Sequence, residues 1–371
     1  MTAPGVHPDS GASYQEVPRA SAPHVKVHDL ALLEFQGPQL QRARAFFTAF
    51  GLQTVAGARD TEMFSAEAGA PVAIIYRKAP VASFIGPTFA VRTCAELEQL
   101  ARATGSPGPV PQDLPGNPPG VLLRDPNGLQ VRVAWFADWR ALPSCGEAQP
   151  LNRGADRPRS NAPLRHPRRP SRVLRLGHMV LGTPRWEATA RFYIDNLGLI
   201  PSDVQALPDG RPAVAFMRCD RGAEPADHHS FVVARLPVTD IEHAAFEVPD
   251  LDEVGMGGAV LQHQGFRRAW GIGRHILGSQ IFDYWFGPDG HKFEHFADGD
   301  LFDADRPTGY HAMSAAGLAE WAPPLPGAFL RPRLGRREVA QLLRNLFTRS
   351  GFGIAELRLM AKAMRSTSLP D

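Results

Sequence analysis

The same order of signals runs along this chain four times. From about Lys26 an alternating apolar segment leads into the helical "QLQRARAFFTAFGL", then "TEMFSAEAG" and "PVAIIYRK". A second unit opens at "PTFAVRTCAELEQLARATG" and closes with "GVLLRDPNGLQVRVAWF". A third runs from "LRLGHMVLGTP" through "RWEATARFYIDNLGL" to "AVAFMRCD" and "HHSFVVARL", and a fourth from "IEHAAFEVPDLDEVG" to "SQIFDYWFGPDGHKFEHFAD". Each reads as a strand, a helix, then two or three strands. Gly51 and Gly198 follow the first and third helices, where a left-handed cap suits glycine. "RDPNGLQVRVAW" and "FGPDGHKFEHFA" share a Pro-Asn/Asp-Gly turn before an alternating strand. One βαβββ unit is too small to bury both faces of its sheet, but two together can curl two sheets into a cup with helices outside. The expected class is therefore α+β, with tandem paired βαβββ modules over residues 25–138 and 172–300. Residues 301–371 begin as loop and end in the helical "REVAQLLRNLFTRSGFGIAELRLMAKAMRS".

Composition narrows the setting. The 371 residues are 43% hydrophobic and 21% charged, which suits a globular chain with a substantial core. No apolar run approaches the ~18 residues a membrane span needs. The first 24 residues lack a basic start followed by an apolar stretch, so they predict a disordered lead-in and no secretory signal. Cys94, Cys145 and Cys219 form no CxxC and read as reduced thiols of a cytoplasmic protein. A formal charge of +2 gives no general attraction to nucleic acid. The charge is uneven, however: residues 151–172 hold seven arginines and four prolines. With no aromatic residue interleaved for base stacking, the stretch reads as part of a linker over 139–171, not as a nucleic-acid site.

Three residues of the second half stand at equivalent, inward-facing places. His178 and His243 lie in the first strands of the third and fourth units, and Glu294 in the last strand of the fourth. Alternation sets Glu294 on one face and Phe293 and His295 on the other. Two imidazoles and one carboxylate from separate strands make the donor set of a facial triad, which suits Fe(II) in oxygen-using enzymes. The first half keeps the strand pattern but has Leu32 or Ala31 opposite His178, Gly86 opposite His243 and Arg132 opposite Glu294. Structural histidines would have no reason to vanish together from the sister cup.

On "GHMVL", "HHSFVV", "HAAFEV", "GRH", "FDYW" and "PDGHKFEHF", the chain resembles the type I extradiol catechol dioxygenases of the vicinal oxygen chelate superfamily. The likeness is architectural over about 25–300 and specific over 176–300. It implies glyoxalase-like paired βαβββ modules, an N-terminal module without metal, and His178, His243 and Glu294 as ligands of Fe(II), with Mn(II) accepted by the same donors. It further implies His229 as the base that takes a catechol proton and steadies dioxygen, with His228 as the other candidate. His275 and Tyr284 are implied as donors to the substrate oxygens. His291 and His295 point away from Glu294's face. The expected reaction is ring cleavage of a catechol with O2, by a homo-oligomer that binds neither membrane nor nucleic acid. Two other classes share the fold: a metal isomerase or lyase working on an enediolate, and a metal-free protein that sequesters a small molecule. Glyoxalase-type relatives usually place a carboxylate where His178 stands, which disfavours the first. The accompanying His229, His275 and Tyr284 disfavour the second.

Overall fold

Alternating stretches become strands and the stripes between them become helices in this computed structural model, which describes residues 14–146, 149–331, 333, 335–347, 352–366 and 369. The first unit comprises β1 (Asp29–Gly37), α1 (Leu40–Phe50), β2 (Gln53–Val55), β3 (Thr61–Ser65) and β4 (Ile74–Lys78). The second comprises β5 (Ser83–Ala90), α2 (Cys94–Thr104), β6 (Val110–Pro111), β7 (Pro119–Arg124) and β8 (Gln130–Ala134). The third runs β9 (Arg175–Thr183), α3 (Trp186–Leu197), β10 (Ile200–Ala206), β11 (Pro212–Arg218), β12 (Ala226–Asp227) and β13 (Phe231–Arg235). The fourth runs β14 (Asp240–Glu247), α4 (Leu251–His263), β15 (Arg267–Arg274), β16 (Ile281–Phe286) and β17 (Lys292–Ala297). Beyond it lie β18 (Leu301–Phe302), β19 (Gly309–Ala312), α5 (Arg336–Phe347) and α6 (Ile354–Ala363). Helices α1 and α3 stop at Gly51 and Gly198, whose φ values of 113° and 71° lie in the left-handed region.

Apart from β12, which pairs with β18 in a small two-stranded sheet, each pair of units forms one continuous sheet, not two. The first strands of the paired units, β1 with β5 and β9 with β14, join antiparallel and fuse the halves. The strand orders are β2-β3-β4-β1-β5-β8-β7-β6 and β15-β16-β17-β14-β9-β13-β11-β10-β19. Two further expectations change. Residues 14–24 are not a loose lead-in: Val17 is buried, its N–H donates to the Tyr310 hydroxyl at 2.9 Å, and the His24 N–H donates to the Asp195 carbonyl at 2.8 Å. The part of the lead-in before Tyr14 lies outside the described residues. Residues 301–312 are not plain loop, because β19 pairs parallel with β10 and extends the second sheet. The described residues between β8 and β9 form no helix or strand, and Arg169 and Arg172 engage Glu253 and Glu67.

The largest core cluster crosses between the modules. Phe46, Phe47 and Phe50 of α1 meet Phe293 of β17 at ring separations of 5.4, 4.9 and 6.3 Å, and all four are buried. Burying each such ring stabilises the fold by ~1.5–3 kcal/mol. His295 stacks on Phe50 at 3.7 Å, and its Nε2–H donates to the Phe50 carbonyl at 2.7 Å. The outer face of β17 is thus clamped by the first module, which fixes the inner face that carries Glu294. No helix among the described residues is long and apolar enough to cross a membrane.

Candidate metal centre

Register brings the three inward residues together. His178 pairs with Ala245 across β9 and β14, and Ala245 pairs with Glu294 across β14 and β17, so His178 and Glu294 share a face. His243 sits two residues before Ala245 on that face. The Nε2 atoms of His178 and His243 lie 3.4 Å apart, each 3.3 Å from Glu294 Oε2. All three side chains are buried, and neither carboxylate oxygen of Glu294 has a hydrogen-bond partner. Burial would raise that carboxyl, but the two imidazoles outweigh it and hold it well below the usual carboxylate range. Burial pushes the His178 imidazole down, toward its neutral form. An uncoordinated buried carboxylate costs several kcal/mol, and the Nε2 atoms of two imidazoles converge on the same point, where each would offer a lone pair to a cation. One divalent cation would satisfy all three. Among the described residues this is the group of donors arranged to hold a metal ion.

The other expected residues ring this point. His229 is buried, with its ring 4.1 Å from that of His178. Burial, reinforced by the neighbouring histidines, keeps its imidazole well below the ordinary value. Tyr284 pairs in register with Glu294 across β16 and β17. Its hydroxyl donates to His275 Nε2 at 2.8 Å, while His275 Nδ1–H donates to the Leu318 carbonyl at 2.6 Å. Burial raises the Tyr284 phenol well above its usual value, so it stays protonated. His291 and His295 lie apart from the three-donor cluster: His291 packs on Phe35 and His295 on Phe50.

His228 and His229 do not sit in a strand. They fall in the connection between β12 and β13, so strand alternation does not separate them, and their Nδ1 atoms meet at 2.8 Å. His228 Nε2 lies 2.5 Å from Asp203, which also accepts from His311 Nε2 at 2.8 Å. Burial would raise the Asp203 carboxyl, but both histidines together lower it to about 2. Because the carboxylate only accepts, His228 carries its proton on Nε2 and, when neutral, accepts from His229 Nδ1–H. The His229 Nε2 lone pair is then left as the available base. Sequence alternation gave no sign of Asp203 or of His311, which arrives on the unforeseen β19.

Glu242 was missed too. A register shift between Ile241 and His243 makes Glu242 the extra residue of a bulge, and its carboxylate meets both His243 Nδ1 and Lys292. This contact turns the His243 Nε2 lone pair toward Glu294. A cavity of about 760 Å³ opens onto the site and is lined by His178, His229, His243, His275 and Tyr284 among others.

Comparisons with known proteins agree with this architecture. Residues 175–295 match the family described as Glyoxalase/Bleomycin resistance protein/Dioxygenase superfamily. The chain is 29% identical over 324 residues to metapyrocatechase 2 of Cupriavidus necator, covering 86% of this chain and 97% of that protein. The Mn(II)-bound glyoxalase from Novosphingobium aromaticivorans superposes with a TM-score of 0.68 at 20% identity, over 84% of this chain and 97% of the other. Homoprotocatechuate 2,3-dioxygenase from Arthrobacter globiformis superposes with a TM-score of 0.66 at 18% identity, over 86% and 95%. Residues 175–295, which hold the three-donor cup, thus match the glyoxalase/bleomycin resistance protein/dioxygenase superfamily, and over most of its length the chain is similar to metapyrocatechase 2.

Proposed function

We propose that the protein is an extradiol dioxygenase that opens the ring of a catechol with O2. The observation that carries this reading is the Glu294 carboxylate, buried without a hydrogen-bond partner between two imidazole Nε2 atoms. In this reading His178, His243 and Glu294 hold Fe(II). Two neutral histidines and one carboxylate would leave the ion a net +1 charge, which would favour a catechol bound as its monoanion. Bound iron would supply a place where the diol and dioxygen meet and electron density passes between them.

The protein's own groups handle the protons. His229 Nε2, left bare by the hydrogen bonds running back to Asp203, takes the proton of one catechol hydroxyl. The protonated imidazole then faces the reacting oxygen as a donor. The Tyr284 hydroxyl is a second donor in place before charge develops, and His275 steadies it. The apolar lining of the cup, with Trp270 and Val232 buried, limits the water that would compete for these groups. The overall reaction breaks the ring carbon–carbon bond next to the diol and places both atoms of O2 in a hydroxymuconic semialdehyde-type product. The test is anaerobic loading with Fe(II), then catechol and ¹⁸O2. The expected result is one O2 consumed per catechol and a yellow product carrying both labelled atoms. Uptake of no oxygen by the iron-loaded protein, with catechol returned intact, would overturn the reading.

A further inference from the structure

The cavity over the three donors is far larger than one dihydroxylated ring. Its volume of about 760 Å³ falls among pockets that hold drug-sized ligands, roughly 300–1,000 Å³. The same cavity is lined by Val232 and Ala234 of β13, by Phe329, and by Leu357, Met360 and Met364 of the C-terminal arm. That arm is fastened to the second module. Asn345 donates to the Pro237 carbonyl at 2.8 Å, Glu356 pairs with Arg211 at 2.9 Å, and Phe352 and Ala363 are buried. Helix α6 and the adjoining Met364 therefore form part of the cavity wall, and the unbranched thioether chains of Met360 and Met364 adapt to irregular apolar shapes.

The charges around the cavity are already matched. Arg333 holds Asp240 and Glu338 at 2.9 and 3.1 Å, Lys292 meets Glu242 and the Phe329 carbonyl, and Arg235 holds Glu187 at 2.5 Å. Arg267, stacked on Phe286, and Arg331 are exposed to solvent. No buried cation among the described lining residues is without an acidic partner, so an anionic substituent would be desolvated without compensation. We infer that the substrate is a catechol bearing a large uncharged apolar substituent, such as an aryl or long alkyl group, which lies against Leu357, Met360 and Met364 of the C-terminal arm. This assignment rests on the ring-cleaving reading above and gives α6 the role of a specificity element.

The test compares catechol, 3-phenylcatechol and 3,4-dihydroxyphenylacetate with the Fe(II)-loaded full chain, both for turnover and for anaerobic binding by displacement of a solvatochromic dye. The kcat/KM for 3-phenylcatechol is expected at least ~10-fold above catechol from buried apolar area. The carboxylated catechol is expected at least ~100-fold below 3-phenylcatechol, because its charge is buried unpaired. Met360→Trp, which takes up space in the cavity, should lower kcat/KM for 3-phenylcatechol at least ~5-fold more than for catechol. Met360→Arg should raise the carboxylated substrate relative to 3-phenylcatechol. If 3-phenylcatechol is no better than the other two, or its advantage is unmoved in both variants, the assignment is overturned while ring cleavage stands. If none of the three is cleaved but 3-phenylcatechol alone binds tightly, the cavity assignment holds and the ring-cleaving reading fails.

Discussion

The two cups share a strand plan and fill its centre in opposite ways. Register aligns Leu32 with His178, Gly86 with His243 and Arg132 with Glu294, since Leu32 pairs with Thr88 and Thr88 with Arg132. In the first cup the carboxylate nearest these positions is the buried Glu34, two residues beyond Leu32, and it is held by Arg132 and by Arg77 at 3.1 Å. Gly86 has φ of 155°, and a Cβ there would lie 1.8 Å from the Gln130 carbonyl oxygen, so the counterpart of His243 has no room for a side chain. One cup thus neutralises its inner carboxylate with guanidinium groups of its own. The other presents a carboxylate to two imidazole Nε2 atoms, with no guanidinium group beside it. The same scaffold therefore carries two kinds of counter-charge: a closed ion pair in the first cup, and in the second a donor group arranged so that a cation could close it.

The largest expected effect separates proton chemistry from metal binding within the second cup. His229→Phe should cut turnover by ~100-fold or more, the scale of a lost acid–base group, with iron content near wild type. A nitro-substituted catechol, which arrives already ionised, should recover part of the rate. Asp203→Asn removes the acceptor that sets the His228 and His229 tautomers, and should lower kcat by ~10-fold with little change in KM and with iron retained. An equal loss of iron in either variant would place these residues in metal binding instead.

The first cup is predicted to break by stability alone. Arg132→Met leaves Glu34 with Arg77 as its remaining partner and should cost about 3 kcal/mol in urea unfolding. Combining it with Glu34→Leu should restore most of that loss, because an apolar pair needs no counter-charge. A double variant as unstable as the single one would contradict the ion-pair account. Neither change should alter turnover.

A smaller effect sits where the modules meet. His28 packs on Trp139, and its carbonyl accepts from Arg221 of the second module. Burial and then the nearby Arg221 charge lower its imidazole to about 4. Because the unfolded imidazole titrates near ~6.5, the unfolded chain binds the extra proton first as pH falls. His28 therefore adds full stability above pH ~6.5, and loses it between there and about 4, by about 2 kcal/mol after allowance for its partial exposure. His28→Gln should flatten that part of the stability curve, and an unchanged slope would remove His28 as its source.

What could be read beforehand followed from regular geometry. Period-two alternation placed His178, His243 and Glu294 inward, and the ten-residue step from Tyr284 to Glu294 survived because the hairpin between them keeps register. What escaped was irregular or remote. The bulge at Glu242 breaks alternation, so an adjacent pair of side chains meets where alternation predicts opposite faces. His228 and His229 lie outside any strand, and the partner of His228, Asp203, is on β10, 25 residues away. Strand β19 and the α6 wall answer to surfaces built by the rest of the fold, which local pattern does not report. The continuous sheet of each module likewise depends on β1 meeting β5 or β9 meeting β14, long-range pairings with no local signal.

The contrast between the cups is tested most directly by counting iron. The wild-type chain, loaded anaerobically with excess Fe(II) and desalted, is predicted to retain one iron per chain. His178→Ala should retain less than about one tenth of that, since removing one of three ligands weakens chelation sharply, while its circular dichroism stays that of the folded protein. Arg132→Met should retain the full amount. Two irons per wild-type chain, or one iron that survives His178→Ala in a folded protein and departs with Arg132→Met, would contradict the account.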